Sequence, residues 1–318
     1  MQAYLVKKAG GPEVLERVTR PKPGVKPGWS RIKIKGFGLN HSEVFTREGK
    51  SPSVHFPRIL GIEAVGVIDG SSDEEKLPLG RAVVTFMGEM DRAYDGSYSE
   101  YVLVPNKQIY PVKTNFSWTD LAAIPETFYT AYGIFKSLQF KADDQLLIRA
   151  ASSSVGFALL KLVKALPFSV QVTGTTRSAA KAKALQAAGF DQVIVTDNPN
   201  QLESKLNFDK MADLIGPTSL LDSFAHLKEY GIVSSTGQLG GQWTLPNFDP
   251  ISDIPNNRYL TGFYSGDVEP GVLQAMFNYL EDQYVDVRPN KVFPFLDLVA
   301  AHHYLDRAEG MGKVVVML

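Results

Sequence analysis

The middle of the chain alternates short apolar runs with stretches in which apolar positions recur at helical spacing. The apolar runs that predict strands lie at residues 146–148, 170–175, 192–195, 211–215, 231–235 and 259–263. Helical spacing follows several of them, for example at residues 157–163 and 219–228. Because strands that alternate with helices pair in parallel, this pattern predicts a doubly wound α/β unit with a parallel sheet.

The first part of the chain shows a different pattern. Short apolar runs at residues 3–6, 30–37, 64–68, 82–86 and 97–104 are separated by glycine and proline. Helical periodicity is limited to residues 42–47 in this part. Many short strands with turn residues between them predict a mostly antiparallel, barrel-like domain.

The end of the chain is detached from the wound unit. It predicts a strand at 292–295, a helix at 298–307 and a strand at 313–318, which we expect to return to the first domain. At 318 residues the chain exceeds the usual size of one compact core. We therefore predict a discontinuous first domain, residues 1–120 and 270–318, and a nucleotide-binding domain at 121–269.

The loop between the first strand and the first helix of the wound unit has the composition of a phosphate-binding turn. Its sequence is Ala150-Ala151-Ser152-Ser153-Ser154-Val155-Gly156. A small-residue turn that opens a helix presents backbone N–H groups and the positive helix end to a dinucleotide pyrophosphate. Aligned on Gly156, the first two glycines of the G-x-G-x-x-G fingerprint are replaced by Ala151 and Ser153. The alternative is an ordinary strand-to-helix turn in which the serines cap the helix.

Hydroxyls and cations follow the second strand of the wound unit, where NAD-preferring proteins place an acid. The residues are Thr175, Thr176, Arg177 and then Lys181. An acid at this point accepts from the ribose 2′-hydroxyl and repels a 2′-phosphate. We therefore predict NADPH as the cofactor, with Thr175, Arg177 and Lys181 around its 2′-phosphate. The alternative assigns both cations to an ordinary solvated helix end.

The remaining strand ends predict where the nicotinamide half of the cofactor lies. A dinucleotide crosses the C-terminal edge of such a sheet. This rule places five residues near the nicotinamide, namely Gly216, Thr236, Gly237, Phe263 and Tyr264. Turn chemistry alone would also explain the glycines.

Composition excludes several function classes. A net charge of −1 gives no electrostatic footprint for nucleic acid or an anionic membrane. No apolar run reaches the about 18 residues of a membrane-spanning candidate, and the chain opens on strand-like sequence instead of a signal peptide, so we expect a cytoplasmic protein. The chain has no cysteine, and its five histidines lack the i, i+4 spacing of a helical metal pair. We predict no metal.

Several motifs, taken in order, resemble the medium-chain dehydrogenase/reductase superfamily, and within it the zinc-free quinone oxidoreductase branch. They are Gly38-Leu39-Asn40-His41-Ser42-Glu43, Leu60-Gly61-Ile62-Glu63-Ala64-Val65-Gly66-Val67-Ile68, Gly96-Ser97-Tyr98-Ser99-Glu100-Tyr101-Val102, Thr130-Ala131-Tyr132-Gly133, the 150–156 loop and Gly312-Lys313-Val314-Val315. The resemblance covers the chain end to end. It implies a GroES-like, mostly antiparallel β-barrel domain and a Rossmann-type domain.

The resemblance also implies which catalytic zinc ligands are missing. Matching the motifs places Asn40 at the cysteine position, Ile62 at the histidine position and Glu126 at or near the third position. Isoleucine cannot ligate, and one carboxylate does not make a zinc site. The four-cysteine structural zinc lobe of the relatives is absent as well. The resemblance therefore implies a reduction without zinc.

Three residues are implied as catalytic by their places in the motifs. Asn40 would donate an amide N–H to the acceptor oxygen, Thr130 would line the cofactor site, and Ser42 would stand where zinc enzymes keep a proton-relay hydroxyl. The structural alternatives are that Asn40 braces a turn, Ser42 caps the helix after it, and Thr130 bonds back within a helix. The chain departs from the branch at Phe45, where many members have tyrosine.

The resemblance implies an NADPH-dependent oxidoreductase that transfers hydride to a quinone or a conjugated carbonyl, a small electrophilic substrate. One alternative is a reductase of enal, enone or enoyl-thioester double bonds, and a zinc alcohol dehydrogenase is more distant. Another, from a different class, is an NADPH-binding sensor or structural module without catalysis. The last strand of the wound unit, 259–263, predicts an open edge that pairs with a second copy in a homodimer, unless Asn256, Asn257 and Arg258 blunt it.

Overall fold

The structure of the protein, a computed structural model, describes residues 1–307 and 310–318. In chain order the strands are β1 (Gln2–Val6), β2 (Leu15–Thr19), β3 (Trp29–Leu39), β4 (Arg58–Ile59), β5 (Glu63–Gly70), β6 (Ala82–Phe86), β7 (Tyr101–Pro105), β8 (Tyr110–Pro111), β9 (Gln145–Arg149), β10 (Gln171–Thr176), β11 (Gln192–Val195), β12 (Phe208–Asp213), β13 (Leu227–Ser235), β14 (Tyr259–Thr261), β15 (Lys291–Pro294) and β16 (Val314–Met317). The α-helices are α1 (His41–Arg47), α2 (Trp118–Leu121), α3 (Pro125–Ser137), α4 (Ser154–Lys164), α5 (Ala179–Ala187), α6 (Leu220–Ala225), α7 (Pro250–Asp253), α8 (Pro270–Asp282) and α9 (Leu298–Asp306).

The chain divides into two compact units. The first unit comprises Met1–Thr127, Gly266–Phe277 and Val287–Leu318, and the second comprises Phe128–Ser265 and Asn278–Asp286. Both changes of unit near the predicted boundaries fall within or beside helices, α3 and α8. A helix that runs through a boundary keeps its hydrophobic period, so the sequence pattern shows no break there.

The second unit contains a six-stranded sheet in the order β11-β10-β9-β12-β13-β14. Every pairing in it is parallel. Numbered within the unit, this is the order 3-2-1-4-5-6 of a Rossmann sheet, and the direction of winding reverses between β9 and β12. The predicted doubly wound α/β unit is confirmed. β14 lies at one edge of this sheet.

The first unit contains two sheets. One has the order β15-β16-β3-β5-β6-β8, with β7 also paired to β3, and the other has the order β2-β1-β4. All of these pairings are antiparallel except β15 with β16. The mostly antiparallel prediction is therefore confirmed. β16 pairs with β3, so that Val315 lies opposite Gly38.

Two details of the predicted elements are wrong. The helix predicted at 219–228 is shorter, because α6 ends at Ala225 and Leu227 already pairs with Phe208 of β12. Sheet pairing overrides the helical period at that point. The strand predicted at 97–104 begins only at Tyr101.

Within residues 1–307 and 310–318, we find no helix with the length and apolar character that crossing a membrane requires.

Candidate active site

The turn between β9 and α4 is tied to the neighbouring strand β10. The Ala151 N–H donates to the Thr175 carbonyl oxygen over 3.0 Å, and the Ala150 N–H donates to the Thr175 hydroxyl oxygen over 3.2 Å. Ala150 has a positive φ of 59°, which a side-chain-bearing residue seldom adopts. The bonds to Thr175 hold the turn in this tight conformation. The Thr175 hydroxyl oxygen, predicted beside the 2′-phosphate, is thus engaged by the turn.

Ser153 caps helix α4. Its hydroxyl oxygen accepts from the Gly156 N–H over 3.1 Å, and its own N–H donates to the Ala150 carbonyl oxygen over 3.0 Å. The capping alternative raised by the sequence therefore describes the Ser153 oxygen correctly. Capping and anion binding are compatible, because the hydroxyl hydrogen remains a donor and the N–H groups of Ser154 and Val155 have no acceptor within the helix.

Gly156 is the one glycine of the fingerprint that the chain keeps, and its surroundings require it. A Cβ at this position would lie 2.8 Å from the Ala151 carbonyl oxygen and 3.1 Å from the Ala150 carbonyl oxygen. The Ala151 side chain fits because its neighbour in β10 is Gly174. A Cβ on Gly174 would lie only 2.6 Å from the Ala151 Cβ. The extra methyl group in the turn is thus matched by a glycine in the adjacent strand.

The end of β10 places the predicted 2′-phosphate residues in one short segment. Thr175 and Thr176 are each 7% exposed, and the Thr176 hydroxyl oxygen accepts from the Ser178 N–H over 3.2 Å. Arg177 is exposed, whereas Lys181 is half-buried. Burial lowers the pKa of the Lys181 ammonium, and the charge of Arg177 lowers it further. The two cations therefore lie within electrostatic reach of each other, which is an arrangement that an anion relieves.

The ends of β12 and β13 form a second rigid part of the same sheet edge. The buried Asp213 carboxylate accepts from the Ile215 and Gly216 N–H groups, each over 3.0 Å. Gly216 has a φ of 103°, and a Cβ on it would overlap the Gly237 carbonyl oxygen. The Thr236 N–H donates to the Asp213 carbonyl oxygen over 3.1 Å. The structure thus brings Gly216, Thr236 and Gly237 together.

Phe263 packs against helix α3 in the same unit. Its ring centroid lies 5.4 Å from that of Tyr129, and a Cβ on Gly133 would overlap the ring. Thr130, on this helix, is 6% exposed. Tyr264, the next residue after Phe263, is exposed. The structure therefore places Phe263 beside the helix that carries Thr130 and leaves Tyr264 open to solvent.

A ring of three buried side chains lies in the first unit, at the start of α1. The Lys313 Nζ donates to Asn40 Oδ1 over 2.7 Å and to Glu63 Oε1 over 2.6 Å. The Asn40 Nδ2 donates to the same Glu63 oxygen over 2.8 Å and closes the ring. Asn40, Glu63 and Lys313 are 8%, 0% and 4% exposed. We call these three residues the Asn40 ring.

The backbone around the Asn40 ring is shaped to fit it. A Cβ on Gly38 would lie 2.6 Å from the Lys313 Nζ, so glycine leaves the room that the ammonium occupies. The Lys313 N–H donates to Asn290 Oδ1 over 3.1 Å. The other oxygen of Glu63 accepts from the Glu126 N–H over 3.0 Å. The ring is therefore a built feature of the fold, formed and contacted by five separate parts of the chain.

Glu43 holds the turn that carries Asn40 and Ile62. Its carboxyl oxygens accept from the Asn40 N–H over 2.5 Å and from the Ile62 N–H over 2.9 Å. Burial raises the pKa of Glu43 to about 8, although both of these N–H bonds oppose the shift. The suggestion that Ser42 caps the helix is wrong, because α1 begins at His41 and Asn40 is the cap position.

Helix α1 is fixed at its other end by a buried arginine. Arg47, which is 0% exposed, donates to His302 Nδ1 over 2.9 Å and pairs with Asp306 over 2.7 Å. His302 Nε2 lies 2.9 Å from the Tyr98 hydroxyl oxygen. Burial, with a smaller effect of Arg47, lowers the pKa of His302 to about 3, so the imidazole is neutral. These bonds fix α1, and Asn40 with it.

Asp91 adds a further buried carboxyl near the same strand. Its Oδ2 accepts from the Gly61 N–H over 3.3 Å, and Asp91 itself has a positive φ of 65°. Burial raises the pKa of Asp91 to about 7. Gly61 precedes Glu63 by two residues, so Asp91 contributes to the position of the strand that carries Glu63.

Two family models match the chain. The alcohol dehydrogenase GroES-like domain matches residues 26–114, and the zinc-binding dehydrogenase model matches residues 188–316. Quinone oxidoreductase from Pseudomonas aeruginosa is 26% identical over 326 residues, and the match covers 97% of each protein. The chain belongs to the medium-chain dehydrogenase/reductase superfamily. The resemblance stated from the sequence is thereby confirmed.

Two solved structures are similar in fold to the whole chain. An oxidoreductase from Salmonella enterica in complex with NADP gives a TM-score of 0.88 at 18% identity and covers 100% of both chains. A mycobacterial protein complexed with NADPH gives a TM-score of 0.81 at 24% identity, again over 100% of both chains. At these identities the likeness shows the fold, and the chain is an oxidoreductase of this superfamily by its sequence relatives.

Many members of the superfamily hold catalytic zinc, and the residues here do not fit it. Ile62 is apolar, and the Glu63 carboxylate is neutralised by the Lys313 ammonium. The other Glu63 oxygen accepts from the Glu126 backbone N–H, so both oxygens of Glu63 already have hydrogen-bond donors. Among residues 1–307 and 310–318, no three or more His, Cys, Asp or Glu side chains are grouped so as to hold a metal ion. The Lys313 ammonium, a cation, lies beside Asn40, where zinc would need anionic or neutral ligands.

Ser42, which motif matching predicted as catalytic, lies in the first unit. The Ser42 hydroxyl oxygen is buried and has no hydrogen-bond partner within the described part of the chain. Lys313 and Glu63 appeared in the sequence only as parts of matching motifs. The one sequence signal for Lys313 is a single cation directly before an apolar strand, and Lys313 lies 250 residues from Glu63.

Proposed function

We propose that the protein is a cytoplasmic, homodimeric, NADPH-dependent reductase that transfers hydride, without zinc, to a quinone or another conjugated carbonyl compound. The observation that carries this proposal is the Asn40 ring. It supplies N–H donors from Asn40 and Lys313 where the zinc-dependent members place a metal ligand. In a conjugated acceptor the charge that follows hydride addition spreads onto an oxygen, which N–H donors stabilise.

The second unit would bind the dinucleotide. The N–H groups of Ser154 and Val155 at the start of α4 suit the pyrophosphate, and Arg177 with Lys181 suits a 2′-phosphate. The NADP complex of the Salmonella oxidoreductase and the NADPH complex of the mycobacterial protein, both similar in fold, support this choice. NADPH supplies the hydride when it is bound. Thr130, Phe263 and the Gly216 and Gly237 turns are proposed to line the nicotinamide half.

The first unit would stabilise the reduced acceptor. The acceptor gains one hydride and one proton, so NADPH, a proton and the acceptor give NADP⁺ and the reduced acceptor. The N–H of Asn40 that lies outside the ring would donate to the acceptor oxygen as negative charge develops there. The unpartnered Ser42 hydroxyl is the candidate to pass the proton to that oxygen.

A turnover assay tests this function. Purified protein is given NADPH or NADH with quinones, enals and enoyl thioesters, and oxidation of the cofactor is followed. We expect NADPH to be preferred and quinones to be reduced. Asn40→Ala should lower kcat by about 100-fold without weakening NADPH binding, whereas the exposed Asn256→Ala should behave as wild type.

Other outcomes of this assay separate the remaining functions. Faster turnover of enals or enoyl thioesters than of quinones would replace the quinone with a carbon–carbon double bond as the acceptor. NADPH binding without turnover of any acceptor would contradict the reductase and support a binding module. Equal use of NADH would contradict the role proposed for Arg177 and Lys181.

The homodimer is proposed to form through the open edge at β14. Tyr259 and Leu260 on this strand are 52% and 38% exposed. A strand edge with apolar side chains pairs readily with a second copy. Light scattering should give twice the chain mass, and Leu260→Lys should give a monomer. A wild-type monomer at assay concentrations would contradict this part of the proposal.

A further inference from the structure

Lys313 brings a full positive charge into the interior of the first unit. Its side chain is 4% exposed, and its carboxylate partner Glu63 is 0% exposed. Such a pair is costly to bury, and it is favourable only when hydrogen bonds satisfy both members. Here Lys313 uses two of its three N–H donors on Glu63 and Asn40.

The chemistry of the Asn40 ring fixes how the Asn40 amide is turned. An ammonium only donates and an ionised carboxylate only accepts, so Oδ1 must face Lys313 and Nδ2 must face Glu63. The amide is planar, and with two of its groups fixed the direction of its second N–H is fixed as well. In the opposite orientation the amide oxygen would point where that N–H points now.

We propose that Lys313 is a positioning residue for the reduction: its ammonium holds the Asn40 amide so that an N–H, and not the oxygen, is offered to the acceptor. The inference rests on the function proposed above for Asn40. The ammonium is part of the chain and, because the Glu63 carboxylate balances its charge, it acts by holding the amide in place and not by supplying a net positive charge. Unlike a metal ion, this cation cannot be removed by a chelator.

Loss of the charges in the ring should change how the Asn40 amide is turned. When the Lys313 ammonium and the Glu63 charge are both removed, nothing in the ring fixes which way the Asn40 amide is turned. An amide that turns its oxygen outward opposes negative charge on the acceptor, so kcat should fall. The dinucleotide is bound by the second unit in the proposed function, so NADPH affinity should stay unchanged.

The test compares Lys313→Met/Glu63→Gln with wild type. The double variant removes both buried charges together, which avoids an unpaired carboxylate, and the introduced amide still offers an oxygen to the Glu126 N–H. We expect kcat to fall by about 100-fold with an unchanged Kd for NADPH. Lys210→Met is the matched control, because Lys210 is also a buried lysine, 6% exposed, near an aspartate. It should retain wild-type kcat.

A second measurement does not depend on turnover. In protein labelled with ¹⁵N-asparagine, the Asn40 side-chain amide is assigned by its loss in Asn40→Ala. We expect its protons to exchange slowly with water in wild type and about 10-fold faster or more in the double variant. Exchange that is equally slow in both proteins would overturn the positioning role.

Chemical rescue distinguishes orientation from charge alone. Lys313→Ala lacks three carbons and the ammonium, which propylammonium replaces, so added propylammonium should raise kcat with saturation. Tetramethylammonium, which has the charge but no N–H, should not. Equal rescue by both cations would overturn the proposal.

The same data keep the two proposals apart. If the Asn40 amide is protected in wild type and loosened in the double variant, while no acceptor is turned over, the positioning by Lys313 stands and the reductase function fails. If turnover is found and the double variant keeps wild-type kcat, the reductase stands and the Lys313 inference fails.

Discussion

Hydrogen-bond donors are provided both by the turn between β9 and α4 and by the Asn40 ring. The donors belong to the backbone in the turn and to side chains in the ring. In the turn the donors are backbone N–H groups, so small side chains replace glycines wherever the space allows, as at Ala151 and Ser153. In the ring the donors and acceptors are side chains that satisfy one another. The turn therefore depends on the space available to its side chains, whereas the ring depends on charge.

The largest expected effect comes from removing one charge of the ring. Lys313→Met leaves the Glu63 carboxylate buried and unpaired, and we expect the free energy of unfolding to fall by about 3–5 kcal/mol. Adding Glu63→Gln should restore most of that loss. Equilibrium denaturant unfolding followed by circular dichroism measures both values. If the single and double variants are equally stable, the ring does not depend on charge.

A pH series measures how a buried carboxyl group in the first unit contributes to the free energy of unfolding. Burial raises the pKa of Asp91 to about 7, above its usual value of 3.8. Its contribution to stability is therefore complete below the unfolded pKa and is lost as pH rises through the folded pKa, at about 1.4 kcal/mol per pH unit between those values. Asp91→Asn, which tolerates the positive φ, should lack this dependence. If the free energy of unfolding changed equally with pH in wild type and in Asp91→Asn, the buried Asp91 carboxyl would not be the cause.

Adding one methyl group at Gly156 tests whether the turn depends on the space around it. In Gly156→Ala the new Cβ would meet the Ala151 carbonyl oxygen at 2.8 Å, and displacement of the turn should weaken NADPH binding by about 100-fold. The matched control is Gly271→Ala, since a Cβ on Gly271 meets nothing within 4 Å. Titration of NADPH fluorescence gives both Kd values. Equal Kd values for the two variants would mean that the turn tolerates a methyl group here as well.

The smallest expected effect concerns the one place where the second unit is proposed to use side-chain charge. Arg177→Ala should weaken NADPH binding about 10-fold, the value of one charge-assisted hydrogen bond. NADH binding should not change. Lys183→Ala is the control, because Lys183 is an exposed lysine on the same helix, α5, as Lys181. An equal loss of NADH affinity would show that Arg177 supports the fold and not the 2′-phosphate.

The same contrast explains how much the sequence could predict. The doubly wound sheet, the mostly antiparallel first unit and the turn at 150–156 follow from local periods and from small residues at short spacing. The structure confirms the fold class, while the roles of the proposed site residues stay predictions. The alternative raised for this turn, in which its serines cap the helix, is borne out for Ser153, whose hydroxyl oxygen accepts from the Gly156 N–H.

The Asn40 ring could not be predicted in the same way. Its members are separated by 23, 250 and 273 positions, and no local period connects them. Motif matching identified Asn40 but gave no reason to pair it with Lys313. The prediction of a helix at 219–228 was wrong for a similar reason. The helix ends where Leu227 pairs with Phe208 in β12, and this contact is distant in sequence.

The pairing of β16 with β3 has a consequence for biosynthesis. A ribosome releases β3 and Asn40 early, yet the strand that follows Lys313 emerges only after the whole of the second unit has been made. Until then the Gly36–Leu39 side of β3 has no neighbour at its β16 position, and Glu63 has no ammonium. The second unit is nearly contiguous in the chain, so it can fold before the first unit is complete. Vectorial synthesis thus completes the Asn40 ring last.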